Sequence, residues 1–131
     1  MIGYISDLVY VCAPAPLQVG VAKGILALSS DYYSNLCNEY LIKRNLICGT
    51  LTKLGITPFI PQGAYYVLAD VSAVPGKTSK DKAMYILNKT GVATVPGSAF
   101  YASAKGENLV RFCFAKSEAI LEEACSRLGK L

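Results

Sequence analysis

The sequence contains no histidine. That removes the commonest metal ligand and the commonest general base, and with them zinc hydrolase, Ser-His and Cys-His chemistries. Charge is also scarce: 17% of the 131 residues are charged and mean hydropathy is +0.36. Such a chain buries enough apolar surface to fold, which excludes a disordered or low-complexity protein. No basic stretch interleaves with aromatics. The net charge of +4 is scattered, with Lys77, Lys80 and Lys82 the densest group, so no nucleic-acid partner is expected. Long apolar runs are missing too. No uncharged run exceeds 16 residues, and the one from Leu8 to Ala22, with 15, contains Pro14 and Pro16, too short and too broken to span a bilayer. With no basic segment ahead of a small-residue cleavage site, a cytoplasmic location and no membrane partner are expected. The five cysteines, Cys12, Cys37, Cys48, Cys113 and Cys125, form no C-x-x-C pair and sit in apolar stretches. They are expected to be reduced, buried core thiols, and no metal site is expected.

Met1 to Cys12 is rich in β-branched and aromatic residues and reads as strand, with no turn signal to open it. A domain that begins in mid-strand reads as part of something larger. Pro16 suits the first position of a helix to about Leu28, which has one charge, Lys23, and so is expected to be covered on more than one side. Asp31 can cap a second helix whose apolar residues, from Tyr33 to Leu54, recur at three-four spacing before Gly55. Some 24 residues at 1.5 Å each make a rod of about 36 Å, a spine long for a small domain. Strands follow at Ile56–Ile60 and Tyr65–Val71, then a helix from Thr78 or Ser79 to Thr90 closed by Gly91. A short strand Val92–Val95, a turn at Pro96-Gly97-Ser98, a strand Asn108–Ala115 and a helix capped by Ser117 complete the chain. This order predicts an α+β fold, a small, mostly antiparallel sheet with helices packed on one face.

Gly76-Lys77-Thr78 resembles the end of a phosphate loop, but Val71 stands where that motif needs its first glycine, so it reads as a solvated turn before a helix. Gly20 and Gly24 fit a close helix contact, while Lys23 argues against a membrane version. Arg111 carries the sharpest signal. In Leu109-Val110-Arg111-Phe112-Cys113-Phe114-Ala115, alternation puts Val110, Phe112 and Phe114 on one face and Arg111 on the other. A guanidinium amid six apolar neighbours needs a partner, because an unpaired buried charge costs several kcal/mol. The partner is either an internal acid, Asp70 or a glutamate, or a ligand carboxylate held by two parallel hydrogen bonds.

Four segments in order resemble the C-terminal part of fold-type I, pyridoxal-phosphate-dependent aminotransferases of the aspartate/aromatic kind. They are Ile2-Gly3-Tyr4, Pro61-Gln62-Gly63-Ala64-Tyr65-Tyr66, Val95-Pro96-Gly97-Ser98-Ala99-Phe100 and Val110-Arg111-Phe112-Cys113-Phe114-Ala115. The stretch Cys12 to Gln18 resembles the family's passage between its two domains. The resemblance implies that residues 29–131 form the C-terminal small domain and residues 1–28 a remnant of the large domain with the inter-domain segment. It implies that Arg111 clamps the α-carboxylate of an amino-acid substrate, and that Gly97 and Ser98 lie near the mouth of the site. The implied parent enzyme uses pyridoxal phosphate to move an amino group from an amino acid to a 2-oxo acid and works as a homodimer.

The family's phosphate-binding arginine precedes Gly3-Tyr4 and would fall where Met1 stands, and its cofactor-bonding lysine lies upstream of that. Lys23 does not match the motif, Tyr101 stands where many relatives carry glycine, and the stretch at Ser6-Asp7 is shorter than the family's. The expectation is therefore that this chain holds no catalytic or cofactor-binding residue, binds no cofactor and transfers no amino group unaided, and that it self-associates. The competing expectation is a non-enzymatic α+β module that binds a small carboxylate or a protein partner.

Overall fold

The structure, a computed structural model, describes Gly3 and residues 12–131. Of the stretch read as an opening strand, only Gly3 and Cys12 are described. Gly3 is helical and Cys12 irregular, so the strand is not found at either position. The rest of that stretch, including Ser6-Asp7, lies outside the described residues. The chain divides into two units, Met1–Leu36 and Cys37–Leu131.

The first unit contains helix α1, Ala15–Ala27, with Pro14 at its N-cap and no buried residue. Leu17, Val19, Val21 and Ile25 are more than half exposed and Leu26 is 87% exposed. Helix α2, Ser30–Lys53, runs 24 residues and the unit boundary falls within it. Its first turn carries Asp31, and Gly55 takes the left-handed conformation just beyond its end, φ 76°.

In the second unit a four-stranded antiparallel sheet has the order β1-β2-β4-β3, with β1 Thr57–Phe59, β2 Tyr66–Asp70, β3 Val95–Pro96 and β4 Leu109–Cys113. The strand expected over Val92–Val95 is reduced to two residues, paired as Val95 with Arg111 and Pro96 with Val110. Proline has no N–H to extend the ladder and confines β3 to the sheet edge. Helix α3, Ser79–Thr90, is opened by a capping box in which Thr78 Oγ1 accepts from Asp81 N–H and Asp81 accepts from Thr78 N–H. Gly91, φ 74°, closes it. Helix α4, Glu118–Leu128, follows Ser117, whose side chain makes no capping bond.

The core lies on one face of the sheet. Val67, Ala69, Val110 and Phe112 meet Ile47, Cys48 and Leu51 of α2, Ala83 and Ile86 of α3, and Leu121 and Leu128 of α4. Phe114, just past β4, is fully buried and edge-on to Tyr40, with centroids 6.2 Å apart. The second unit is α+β, with its part of α2 and helices α3 and α4 on one side of the sheet. The cysteine expectation is corrected. All five are free, but only Cys48 is buried, Cys125 is intermediate, and Cys12, Cys37 and Cys113 are exposed. Apolar sequence neighbours do not choose a face: on β4 the strand alternation sends Cys113 out with Arg111.

Candidate functional site

The non-core face of the sheet is read from its register. Phe59 pairs with Leu68, Leu68 with Arg111, and Arg111 with Val95, so one row across all four strands is apolar except for a single guanidinium. Arg111 is half-buried, as the alternation on β4 predicts. Its guanidinium carbon lies 4.8 Å from the centroid of the Phe100 ring and 5.1 Å from that of Tyr66. Each such cation–π contact is worth about 0.5–2 kcal/mol. Tyr66 pairs with Cys113 and is therefore a diagonal neighbour of Arg111 on the same face. Tyr65 packs edge-on against Tyr66 at 5.3 Å.

No carboxylate of the described residues forms an ion pair with Arg111. Asp70, the internal acid proposed from sequence, accepts instead from the Ser72 N–H at 2.8 Å and from its hydroxyl. Those bonds, with a smaller contribution from the Lys82 charge, hold the Asp70 carboxyl below the ordinary carboxylate range against a small opposing effect of burial. Arg111 Nε is buried with no hydrogen-bond partner among the described residues. An unmet donor costs about 1–3 kcal/mol, and no described residue supplies its acceptor.

Two turns deliver the flanking rings. The turn before Tyr66 holds Ala64 at φ 68°, a left-handed conformation costing an L-residue roughly 1–2 kcal/mol. Arg44 of α2 steadies that turn by donating to the Pro61 carbonyl at 3.0 Å. The turn before Phe100 is a single 3₁₀ turn, Gly97–Ala99. Gly97 is buried there against the second 3₁₀ turn, Ala104–Gly106. A Cβ on Gly97 would lie 2.7 Å from the Leu109 carbonyl oxygen and closer still to that of Gly106. Gly97 is thus required by close approach rather than by a special φ. Sequence reasoning singled out Arg111 and placed Gly97 and Ser98 nearby, but missed Phe100 and Tyr66 as the rings on Arg111. Both lie in the segments that carried the resemblance, and the β2–β4 register alone would have found Tyr66.

Gly76 lies in a turn against the first turn of α3, where a Cβ would meet Lys82 N at 2.8 Å, as the reading of a turn before a helix requires. Among the described residues, two cavities are lined without Arg111. One, of about 300 Å³, is lined by Gly91, Cys113, Lys116, Ile120, Glu123 and Arg127, among others. The other, of about 230 Å³, includes Lys80, Met84, Leu87 and Thr94. A phosphorylated pyridoxal needs an amine for its aldehyde and a cradle of donors for its phosphate. In the larger cavity Lys116 is exposed and Glu123 occupies Arg127 at 2.5 Å, and the smaller offers one amine, Lys80, and one hydroxyl, Thr94, short of a phosphate cradle. Neither fits the cofactor. Among the described residues no group of three or more metal-ligating side chains forms, and no helix is long and apolar enough to cross a membrane.

Arg111 thus lies on the non-core face of the sheet with one buried donor unpartnered among the described residues. Residues 5–128 match the family described as aminotransferase class I and II, and the chain belongs to that pyridoxal-phosphate-dependent family. It is 35% identical over 141 aligned residues to a kynurenine–oxoglutarate transaminase of Dictyostelium discoideum, covering 90% of this chain and 32% of that protein. Among solved structures it is similar to YbdL of Escherichia coli, reported with a methionine aminotransferase function, at TM-score 0.81 and 29% identity over 95% of this chain and 32% of that one. It is also similar to an alanine aminotransferase of Pyrococcus furiosus, at TM-score 0.79 and 30% identity, covering 91% of this chain and 30% of that one. The chain spans about a third of the length of the curated relatives it matches.

Proposed function

We propose that the chain is the carboxylate-gripping part of an enzyme that transfers an amino group from an amino acid to a 2-oxo acid. Residues 29–131 are its C-terminal small domain, and residues 1–28 belong to the inter-domain segment and the large domain. Arg111 binds the α-carboxylate of the substrate. The observation that carries this reading is the buried Nε of Arg111, unpartnered among the described residues, on a guanidinium flanked by two aromatic rings. A carboxylate accepting from Nε–H and a terminal N–H satisfies that donor in the geometry a planar fork prefers. A substrate fixed at that end has its reacting carbon at a constant position, the service such a grip renders to catalysis.

Pyridoxal phosphate is the proposed cofactor of the whole enzyme. It supplies the electron sink that makes the substrate Cα–H acidic. Neither of the two cavities fits it, so no step through it is assigned to this chain's residues. Relatives named for kynurenine and 2-oxoglutarate make an aromatic amino donor and a dicarboxylic 2-oxo acceptor the substrates proposed first. A cytoplasmic homodimer is the proposed assembly. The apolar α1, which buries no residue, supports a covering partner and predicts self-association of this chain alone.

The test is a titration of the full 131-residue chain with 2-oxoglutarate, followed by isothermal calorimetry. Arg111→Lys keeps the charge but loses the fork, and its affinity is expected to fall roughly tenfold to a hundredfold. Arg127→Lys, at an exposed position paired with Glu123, is expected to bind like the parent. Equal binding by the parent and Arg111→Lys overturns the assignment.

A further inference from the structure

The segment between β3 and β4 leaves the sheet at Gly97, returns at Leu109 and carries Phe100 onto Arg111. Its neck is closed by two glycines: a Cβ on Gly106 would lie 2.7 Å from the Gly97 carbonyl carbon. Its feet are tied to one turn of α3. Ser79, 0% exposed, donates its N–H to Glu107 Oε2 at 2.7 Å. Its hydroxyl donates to Ser98 Oγ at 3.0 Å and accepts from Ser98 N–H at 3.2 Å. Lys82, 4% exposed, donates to Asn108 Oδ1 at 2.6 Å.

The Thr78–Asp81 capping box satisfies the Thr78 and Asp81 N–H groups and leaves that of Ser79, whose acceptor is supplied from outside the helix by Glu107. Residues 19 and 28 positions from Ser79 are brought to it: Ser98 within the turn that aims Phe100, and Glu107 just past the second 3₁₀ turn that packs on it. The Glu107 carboxylate also sits at the positive end of the α3 dipole, which favours its charge.

We propose that Ser79 and Glu107 are positioning residues for Arg111: they pin the turn Gly97–Ala99, and through it Phe100, so that the ring holds the guanidinium in one plane. This rests on the reading of Arg111 as the carboxylate grip. A free arginine side chain loses rotamer freedom when it binds, and a guanidinium already fixed against a ring has lost most of it in advance. Removing the tie should therefore weaken carboxylate binding by about tenfold.

The experiment uses the full chain labelled with ¹⁵N-arginine. It has three arginines, Arg44, Arg111 and Arg127, and the Arg111 Nε–H signal is assigned by its loss in Arg111→Lys. Its displacement relative to Phe100→Leu measures the ring current of Phe100. In Glu107→Ala more than half of that displacement is expected to vanish, and 2-oxoglutarate, the probe, is expected to bind about tenfold more weakly. Glu107→Gln keeps an acceptor for the Ser79 N–H and is expected to restore both. If Glu107→Ala does not fold, Ser98→Ala, which loses only a hydroxyl at an exposed position, carries the same expectation. A folded Glu107→Ala or Ser98→Ala with an unchanged Arg111 signal and unchanged affinity overturns the positioning role. A parent Arg111 signal that 2-oxoglutarate does not move overturns the carboxylate grip instead, and the ring-current arm still decides whether Glu107 fixes the guanidinium.

Discussion

Replacing Gly97 by alanine tests whether the close approach of two backbone turns builds the Arg111 site. The new methyl would stand 2.7 Å from the Leu109 carbonyl oxygen, 2.9 Å from the Leu109 Cβ, and against the Gly106 carbonyl oxygen. Two of these are backbone atoms that no rotamer change can move, so the turn must shift away from β4. Overpacking of this kind costs about 1–3 kcal/mol. With a urea slope near 2 kcal/mol per molar, that is a fall in midpoint of roughly 0.5–1.5 M. Gly49 of α2 is the control of opposite sign. A Cβ there meets nothing within 4 Å, so Gly49→Ala should gain about 1 kcal/mol of helix propensity and raise the midpoint by about 0.5 M. Urea unfolding followed by far-ultraviolet circular dichroism reads both variants in one experiment. A Gly97→Ala midpoint equal to or above the parent's would refute the argument that contact, not turn propensity, selects this glycine.

Three more outcomes follow from other parts of the molecule. Burial raises the Cys48 thiol pKa, with the Arg44 charge a smaller opposing effect, whereas Cys12, Cys37 and Cys113 are exposed. A thiol-disulfide reagent should label those three rapidly and Cys48 only in denaturant, and rapid native labelling of Cys48 contradicts its place in the core. The Asp81 carboxyl is held below its ordinary range by hydrogen bonds from the Thr78 side chain and backbone. A carboxyl lowered in the folded state stabilises above the unfolded-state pKa near 3.9 and loses that effect as pH falls through the folded value. Asp81→Asn should therefore be less stable than the parent at pH 7 and indistinguishable from it near pH 2, and a difference that persists at pH 2 counts against the capping box as its source. Ala64→Gly relieves a left-handed alanine and should gain up to about 1 kcal/mol in the same urea assay, and a loss greater than 0.5 kcal/mol would show that the turn carries no strain.

Local chemistry made the frame of this fold readable in the sequence. Gly91 ends α3 because the left-handed conformation there suits glycine, and Thr78 opens it because its side chain reaches the N–H of Asp81. Alternation on β4 put Val110 and Phe112 into the core and Arg111 on the other face. The three-four spacing on α2 gave Ile47, Cys48 and Leu51 as core residues, but the same apolar pattern continues over Tyr33 and Leu36, which are exposed. A period shows which residues share a face, not whether anything lies against it. The cysteine error has the same origin. What could not be read were the contacts between distant residues: Ser79 with Ser98 and Glu107, Lys82 with Asn108, and Phe100 with Arg111. These have no period and no local motif, because two turns folded against one helix end create them. The site followed the same division. Its charge stood out as an arginine in an apolar strand, while the rings that orient it needed the sheet register and the turn at Gly97.

The measurement closest to the central claim is a crystal structure of this chain bound to 2-oxoglutarate. The account predicts a ligand carboxylate accepting from Arg111 Nε and one terminal nitrogen at about 2.7–2.9 Å, with Phe100 and Tyr66 still against the guanidinium. A guanidinium paired with a carboxylate of its own chain, or a ligand seated away from Arg111, would contradict it.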